Sequence, residues 1–287
     1  MERHAFHALG TDCEVLLDVD PGPDAVLALA TAEGEIRRLE RLLSRFRADS
    51  ELSRLNEVGA LEAGDDLLAV VRLALEARER TGGRFDPTVL GALVAAGYDR
   101  SFDDLRPDGA GPLSSPAGGA VRVRGRRIEL DPGVRLDLGG IGKGYAVDRA
   151  VGRLAGTGSC LVNAGGDLAV AGVPEGGVWP VGLDTPLGGI TLGVAEGALA
   201  TSGSDRRRWR AGGEERHHLI DPRTGRPVYS DLVTVTVATP TAVEAEVAAK
   251  ALFLAGEQAA AAEADALGLP ALLVTVDRRV RYAGGLS

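Results

Sequence analysis

Leu136-Asp137-Leu138-Gly139-Gly140-Ile141-Gly142-Lys143-Gly144-Tyr145-Ala146-Val147-Asp148 runs from an apolar, strand-like segment through a glycine loop into a helix-like segment. Four glycines fall within Gly139 to Gly144. A loop poor in Cβ atoms lets backbone N–H groups close on an anion, and a helix start adds the positive end of its dipole. Lys143 adds a point charge. Lysine is scarce: of 32 basic residues only Lys143 and Lys250 are lysine. Where arginine is the default cation, a lysine marks a place that a planar fork does not fit. Two readings of the stretch stand side by side: a phosphate-binding loop, or a tight strand-to-helix turn with a solvated lysine.

The surrounding chain has 287 residues, room for one large domain or two intimately joined ones. An apolar content of 45% with 25% charged residues is that of an ordinary globular protein. A net charge of −9 argues against a nucleic-acid partner, with the basic cluster Arg206 to Arg210 a local exception. Cys13 and Cys160 have no metal-site or disulfide-framework spacing and read as buried thiols. The N-terminal residues lack an apolar signal-like core, and no run approaches the roughly 18 apolar residues of a membrane span, so the expected location is cytoplasmic.

Taken in order, His4 to Leu9 and Cys13 to Val19 have strand character about a Gly10-Thr11-Asp12 turn. Helical periodicity runs from Asp24 to Phe46, and shorter helices are expected over Asp49–Asn56, 65–80 and Val89–Ala96. The Pro/Gly/Ser-rich residues 107–119 read as loop. A helix over Tyr145–Leu154 follows the opening stretch. Strand-like segments then succeed one another to Ala238, including Arg216–Ile220, before alanine-rich helices at Glu244–Leu254 and Gln258–Leu267 and a closing hairpin. Strands dominate the ends and middle while helices cluster, which predicts α+β rather than alternating βαβ units.

Several strand ends carry small residues beside one acid, hydroxyl or imidazole: Gly10-Thr11, Phe85-Asp86, Asp137 with Lys143, Asn163 to Asp167, Thr201-Ser202 and His218 to Asp221. Their recurrence suggests loops that bind a polyphosphate ligand. His4 and His7 read as structural residues on one face of the first strand. His217 and His218 alternate across a strand, so one of the two faces a site. Asp221, before Pro222, is held extended. It reads either as a positioned carboxylate or as the cap of a surface turn. Glu246 and Lys250 are four apart on a largely apolar helix and share a face, as a surface ion pair or as a pair facing a cleft.

These segments together resemble the ApbE family of FAD:protein FMN transferases. The resemblance runs over Leu9-Gly10-Thr11, Ser44 to Asn56, Thr81 to Thr88, Leu136 to Asp148, Val162 to Asp167, Ala200 to Gly203 and His218 to Gly225. It implies a single domain over 1–287 with an ApbE-like, T-fold-related α+β architecture of antiparallel-rich sheets and flanking helices. It implies that FAD is the donor, that a threonine or serine hydroxyl of an acceptor protein attacks the FMN phosphorus, and that AMP leaves. Lys143 and the loop residues Gly140 and Gly142 are then matched to the pyrophosphate, and Thr201 and Ser202 to the pyrophosphate or ribose. Gly10, Thr11, Phe85, Asp86, Asp137, Asn163, Gly165, Gly166 and Asp167 are matched to the rest of FAD. By the same match His218 is the base, with Asp221 to orient or assist it, and both are matched to FAD binding as well. Hydrolysis of FAD to FMN and AMP, or FAD binding without chemistry, are the alternatives.

The family's Mg²⁺ site is implied at Gly142 and Glu246, and here the chain departs from the pattern. Glu246 stands where an aspartate is usual, and Lys250 replaces a threonine. Glutamate still donates a hard oxygen, but a protonated lysine cannot ligate. Either Lys250 replaces part of the metal's charge, or the helix register shifts and the metal is held elsewhere.

Overall fold

The computed structural model describes residues 1–105, 118–185 and 187–286. The expectation for 107–119 falls almost wholly outside them. Helices among the described residues are α1 (Pro23–Leu43), α2 (Glu51–Val58), α3 (Asp65–Arg80), α4 (Leu90–Ala95), α5 (Gly142–Arg153), α6 (Ala242–Ala255) and α7 (Glu257–Leu267). Together with the strands they form two compact units. One holds residues 1–40, 142–202 and those from 231 onward; the other holds 41–141 and 203–230. The chain passes from the second to the first between Ile141 and Gly142, inside the glycine stretch.

The first unit is built on one eight-stranded sheet. Its spatial order is Glu2–Ala8, Thr11–Asp18, Ser159–Ala164, Asp167–Ala171, Gly197–Gly203, Leu232–Thr239, Ala271–Thr275 and Val280–Ala283. The first five strands pair antiparallel in sequence of position, as do the last three. On one face Leu161, Leu168, Val170 and Leu199 pack with Trp179, Val181, Leu183 and Val194 of a separate hairpin. Alternation sends Asp167 to the other face, where α5 and α6 lie. Glu35 of α1 ties that helix to α5 through Arg149 (3.6 Å) and Arg153 (3.2 Å).

The first hairpin turns at Leu9 and Gly10, both with positive φ, so Thr11 already pairs with Ala8. That is a two-residue turn whose twist matches the strands, and it is tighter than the Gly10-Thr11-Asp12 turn expected. Glu40 of α1 accepts the Leu9 N–H at 2.7 Å. His4 and His7 are three residues apart in a strand and so occupy opposite faces, not one. His4 meets Glu33 and His7 meets Asp12.

The second unit contains a three-stranded antiparallel sheet, Ala60–Glu62, Arg127–Leu130 and Val121–Arg124 in spatial order. Ser50 caps α2, its hydroxyl accepting the Ser53 N–H at 3.0 Å, and Gly59 closes it in the left-handed region. Another core gathers Leu93, Ala96 and Tyr98 with Trp209, Ala211 and Ile220. Arg208–Ala211 and Glu214–His217 form a hairpin, and Ile220–Asp221 pairs with Arg226–Pro227. The expected strand Arg216–Ile220 is thus two short strands with a bend at His218.

Candidate active site

In the first unit, Lys143 sits in the first turn of α5, because the helix begins at Gly142 and not at the expected Tyr145. Its ammonium lies between two carboxylates. It bonds Asp167 and donates to Glu246 Oε1 at 2.8 Å. The Gly144 N–H donates to the other oxygen, Oε2, at 2.8 Å. The amide and ammonium at this helix start therefore already hold an anion, the Glu246 side chain. Asp167 is 3% exposed, Glu246 5% and Lys143 18%, so the three charges are held largely out of water. Burial pulls the Lys143 ammonium down, but Asp167 and Glu246 outweigh it and hold its pKa above the ordinary lysine value. Burial raises the Asp167 carboxyl. Lys143 opposes that rise, Glu246 adds to it, and the Thr201 backbone amide opposes it, leaving Asp167 above the usual carboxylate range.

Helix–helix approach puts Glu246 there. A Cβ on Gly144 would come within 2.4 Å of the Ala242 carbonyl oxygen, so only glycine lets α5 close on the start of α6. Asp148, one turn further along α5, accepts the N–H groups of Ala242 (2.8 Å) and Val243 (3.0 Å). Thr241 also caps α6, accepting the Glu244 N–H at 3.3 Å. These caps satisfy donors that a helix start leaves open and fix where Glu246 points.

Asp167 follows the Gly165-Gly166 turn, both glycines at positive φ. A Cβ on Gly165 would fall 2.2 Å from Thr11 Oγ1, so this turn lies directly on the first hairpin. The Gly165 N–H donates to Asp12 O at 3.0 Å, and Asn163 Oδ1 accepts the Gly166 N–H at 2.9 Å. Thr201 and Thr236 hydroxyls meet at 2.8 Å, and Ser202 is buried. The structure thus groups Thr11, Asn163, Gly165, Gly166 and Asp167 at one end of the sheet, with Lys143 and Glu246 on Asp167.

The second unit holds the remaining sequence candidates. Phe85 is buried, its N–H on Thr81 Oγ1 at 3.1 Å. Asp86 accepts the Thr88 N–H (2.8 Å) and hydroxyl (2.7 Å) and meets Arg78 at 3.1 Å. Asp137 accepts the Gly139 N–H at 2.7 Å and meets Arg45 at 2.5 Å, while its own N–H donates to Pro87 O at 2.8 Å. Its carboxylate therefore staples the glycine stretch. Gly140 is buried beside it. Arg45 also stacks on Phe46 and Tyr98, at 4.1 and 4.6 Å from their centroids.

The histidine pair separates into two roles without any appeal to alternation, since the bend at His218 ends the strand. His217 bonds Val228 O at 2.8 Å through Nε2 and accepts the Leu219 N–H at 3.3 Å through Nδ1. With both ring nitrogens so engaged it is a neutral structural residue, and burial depresses its pKa. His218 is half-buried at the bend. Asp221 takes Arg223 through both carboxylate oxygens (3.1 and 2.9 Å) and accepts its N–H at 3.0 Å. The Asp221 carbonyl accepts the Gly225 N–H at 2.8 Å, closing a tight turn. Arg223 holds the Asp221 carboxyl below its ordinary pKa.

A family description, the ApbE family, matches residues 9–273. The chain belongs to the ApbE family. A FAD:protein FMN transferase of Treponema pallidum is 30% identical over 97% of this chain and 85% of its own length. Among solved structures, an ApbE protein of Thermotoga maritima superposes with a TM-score of 0.86 at 26% identity, covering 98% of this chain and 96% of that one. A flavin transferase ApbE from Vibrio cholerae gives 0.83 at 25% identity, covering 98% and 97%. The α+β fold, with its antiparallel-rich sheets and flanking helices, is that of these ApbE structures. Sequence reasoning assigned no role to Asp148, Arg78 or Thr88, and read Arg45 only as a basic residue at a helix C-terminus, whereas α1 ends at Leu43 and Arg45 pairs with Asp137. Each was legible only as a residue inside or beside a recognised motif, since its partner lies on another element or in a local turn.

Proposed function

We propose that this ApbE-family chain transfers FMN from FAD to a threonine or serine hydroxyl of an acceptor protein. The acceptor oxygen forms a bond to the FMN-side phosphorus, the pyrophosphate P–O bond to AMP breaks, and the hydroxyl proton passes to a base. The observation that carries this reading is the likeness, over almost the whole chain, to a FAD:protein FMN transferase. The buried cation supports it: a pyrophosphate under attack needs fixed positive charge and N–H donors, and Lys143 stays charged at neutral pH. Thr11, Asn163, Gly165, Gly166, Asp167, Thr201 and Ser202 of the first unit, with Gly142 and Lys143, are proposed to contact FAD. Gly10, Phe85, Asp86, Asp137 and Gly140 are proposed for the same ligand. His218 is the proposed base, with Asp221 holding the turn beside it, and His217 is excluded by its two hydrogen bonds. The whole chain is proposed to act as one flavin-transferase domain in the cytoplasm. No helix among the described residues is long and apolar enough to cross a membrane.

The family resemblance also implies Mg²⁺ at Gly142 and Glu246. The residues present fit it poorly. Both Glu246 oxygens already accept protein donors. The residue one turn later is a lysine, which offers no lone pair while protonated.

The test is incubation with FAD and host-cell extract, read by flavin fluorescence in a denaturing gel and by nucleotide analysis. Transfer gives a fluorescent protein band with AMP. Free FMN with AMP and no band makes the chain an FAD pyrophosphatase. Unchanged FAD with a thermal shift leaves only a binding protein.

A further inference from the structure

We propose that three arginines gathered on Glu35, between α1 and α5, form an anion site outside the candidate active site, one that takes a phosphate dianion. The inference is independent of the FAD reading, because none of these residues is assigned to that ligand. Glu35 lies on α1 with its side chain 5% exposed. Arg38, about one turn further along α1, takes both carboxylate oxygens, through Nε at 3.1 Å and Nη2 at 2.8 Å. Two more guanidiniums come from α5. Arg153 Nη2 donates to Oε2 at 3.2 Å, and Arg149 Nε lies 3.6 Å from Oε1. All four residues belong to the first unit.

One bidentate arginine balances one carboxylate. Arg38 already does so, and its hydrogen bonds, with the charge of Arg153 behind them, hold the Glu35 carboxyl below its ordinary pKa. Arg149 and Arg153 are therefore a surplus of two positive charges at one spot, on a chain whose net charge is −9. Among the described residues neither has an acidic partner other than Glu35. Both are about half exposed, at 47% and 49%, and so open to a ligand. A guanidinium carries five N–H donors, and each of these two meets Glu35 through one nitrogen, which leaves most of the donors for another acceptor. The carbonyl end of α5 attracts a cation and accounts in part for Arg153 in its last turn. It does not account for Arg149, which is beyond hydrogen-bonding distance of Glu35. Like charges crowded about an already balanced carboxylate repel one another, and a bound anion removes that repulsion. Two surplus charges on planar forks match a phosphate dianion, whereas a carboxylate would cancel only one of them.

Calorimetry on the full chain, at an ionic strength held constant with chloride, tests this with two probes, inorganic phosphate and glycerol 3-phosphate. Saturable binding with a dissociation constant of about 1 mM or lower is expected for at least one of them, and the tighter probe tells whether the free ion or an ester is the source. Arg149→Gln, which breaks no hydrogen bond within the protein, is expected to weaken that binding about tenfold. Glu35→Gln, which removes the negative charge from the site, is expected to tighten it about threefold. A cluster that only ties α1 to α5 would lose stability in Glu35→Gln with no gain in affinity. Absence of saturable binding by the wild type, binding unchanged in Arg149→Gln, or binding not tightened in a folded Glu35→Gln overturns the inference and leaves the FAD reading intact. Should Glu35→Gln fail to fold, the wild type and Arg149→Gln decide alone.

Discussion

Buried carboxylates in the two units meet their counter-charges differently. In the second unit each has its own arginine and a local backbone donor. Asp86 has Arg78 and the Thr88 N–H; Asp137 has Arg45 and the Gly139 N–H. In the first unit Asp167 and Glu246 share a single lysine. A carboxylate with a private fork and a donor two residues away is a staple that fixes a turn. Two carboxylates dividing one point charge, each with a backbone donor besides, fix that ammonium between a strand and a helix. The contrast is between carboxylates that fix local turns and carboxylates that fix a lysine on a neighbouring element.

The sharpest way to break the comparison is Lys143→Met. It leaves two carboxylates buried without their cation, and a stability loss of about 3–5 kcal/mol is expected in urea denaturation, together with loss of AMP release. Lys143→Arg is expected to recover part of the stability but little of the activity, since a fork cannot replace a point charge here. Equal activity in the arginine variant would make the first unit resemble the second. Next in size is Gly144→Ala. Its methyl meets backbone at 2.4 Å, so α5 and α6 must separate at about 1–3 kcal/mol, and FAD affinity is expected to fall with stability because Glu246 moves.

Asp86→Asn sharpens the other side of the contrast. It keeps the shape and the Thr88 bonds but removes the charge facing Arg78, and a stability loss of about 1 kcal/mol is expected together with weaker FAD binding, since Asp86 is also a proposed FAD contact. Unchanged FAD affinity at the lowered stability would make Asp86 a staple alone. The smallest effect is in the pH dependence of stability. Burial lowers the His217 pKa below 6.5 in the folded chain, so the unfolded chain binds more protons as pH falls. Wild-type stability is therefore expected to decline as pH drops below about 6.5, and His217→Gln to flatten that decline.

Some of this was legible in the sequence and some was not, for identifiable reasons. Lys143 stood out because lysine is rare and glycines surround it, both local signals. The helix start was misplaced by three residues because glycine's low helical propensity hides a first turn in which the Gly144 N–H is satisfied by Glu246 of another helix. Glu246 was readable as a helical neighbour of Lys250, but its bond to Lys143 spans 103 residues and is set by helix packing at Gly144. Periodicity carries no such information. Alternation predicted that only one of His217 and His218 faces a site. The bend at His218 removed the premise, and hydrogen bonding at His217 separated the pair instead. The Gly165-Gly166 turn was visible as a glycine pair, whereas its contact with Thr11 required knowing that Thr11–Asp18 and Ser159–Ala164 are neighbours.

The most direct test is the stoichiometry of AMP release to protein-bound flavin in metal-free buffer, with FAD and a host-cell extract as acceptor source. Equal amounts of AMP and covalently bound flavin are the predicted result. AMP without bound flavin, or product only after Mg²⁺ is added, contradicts it.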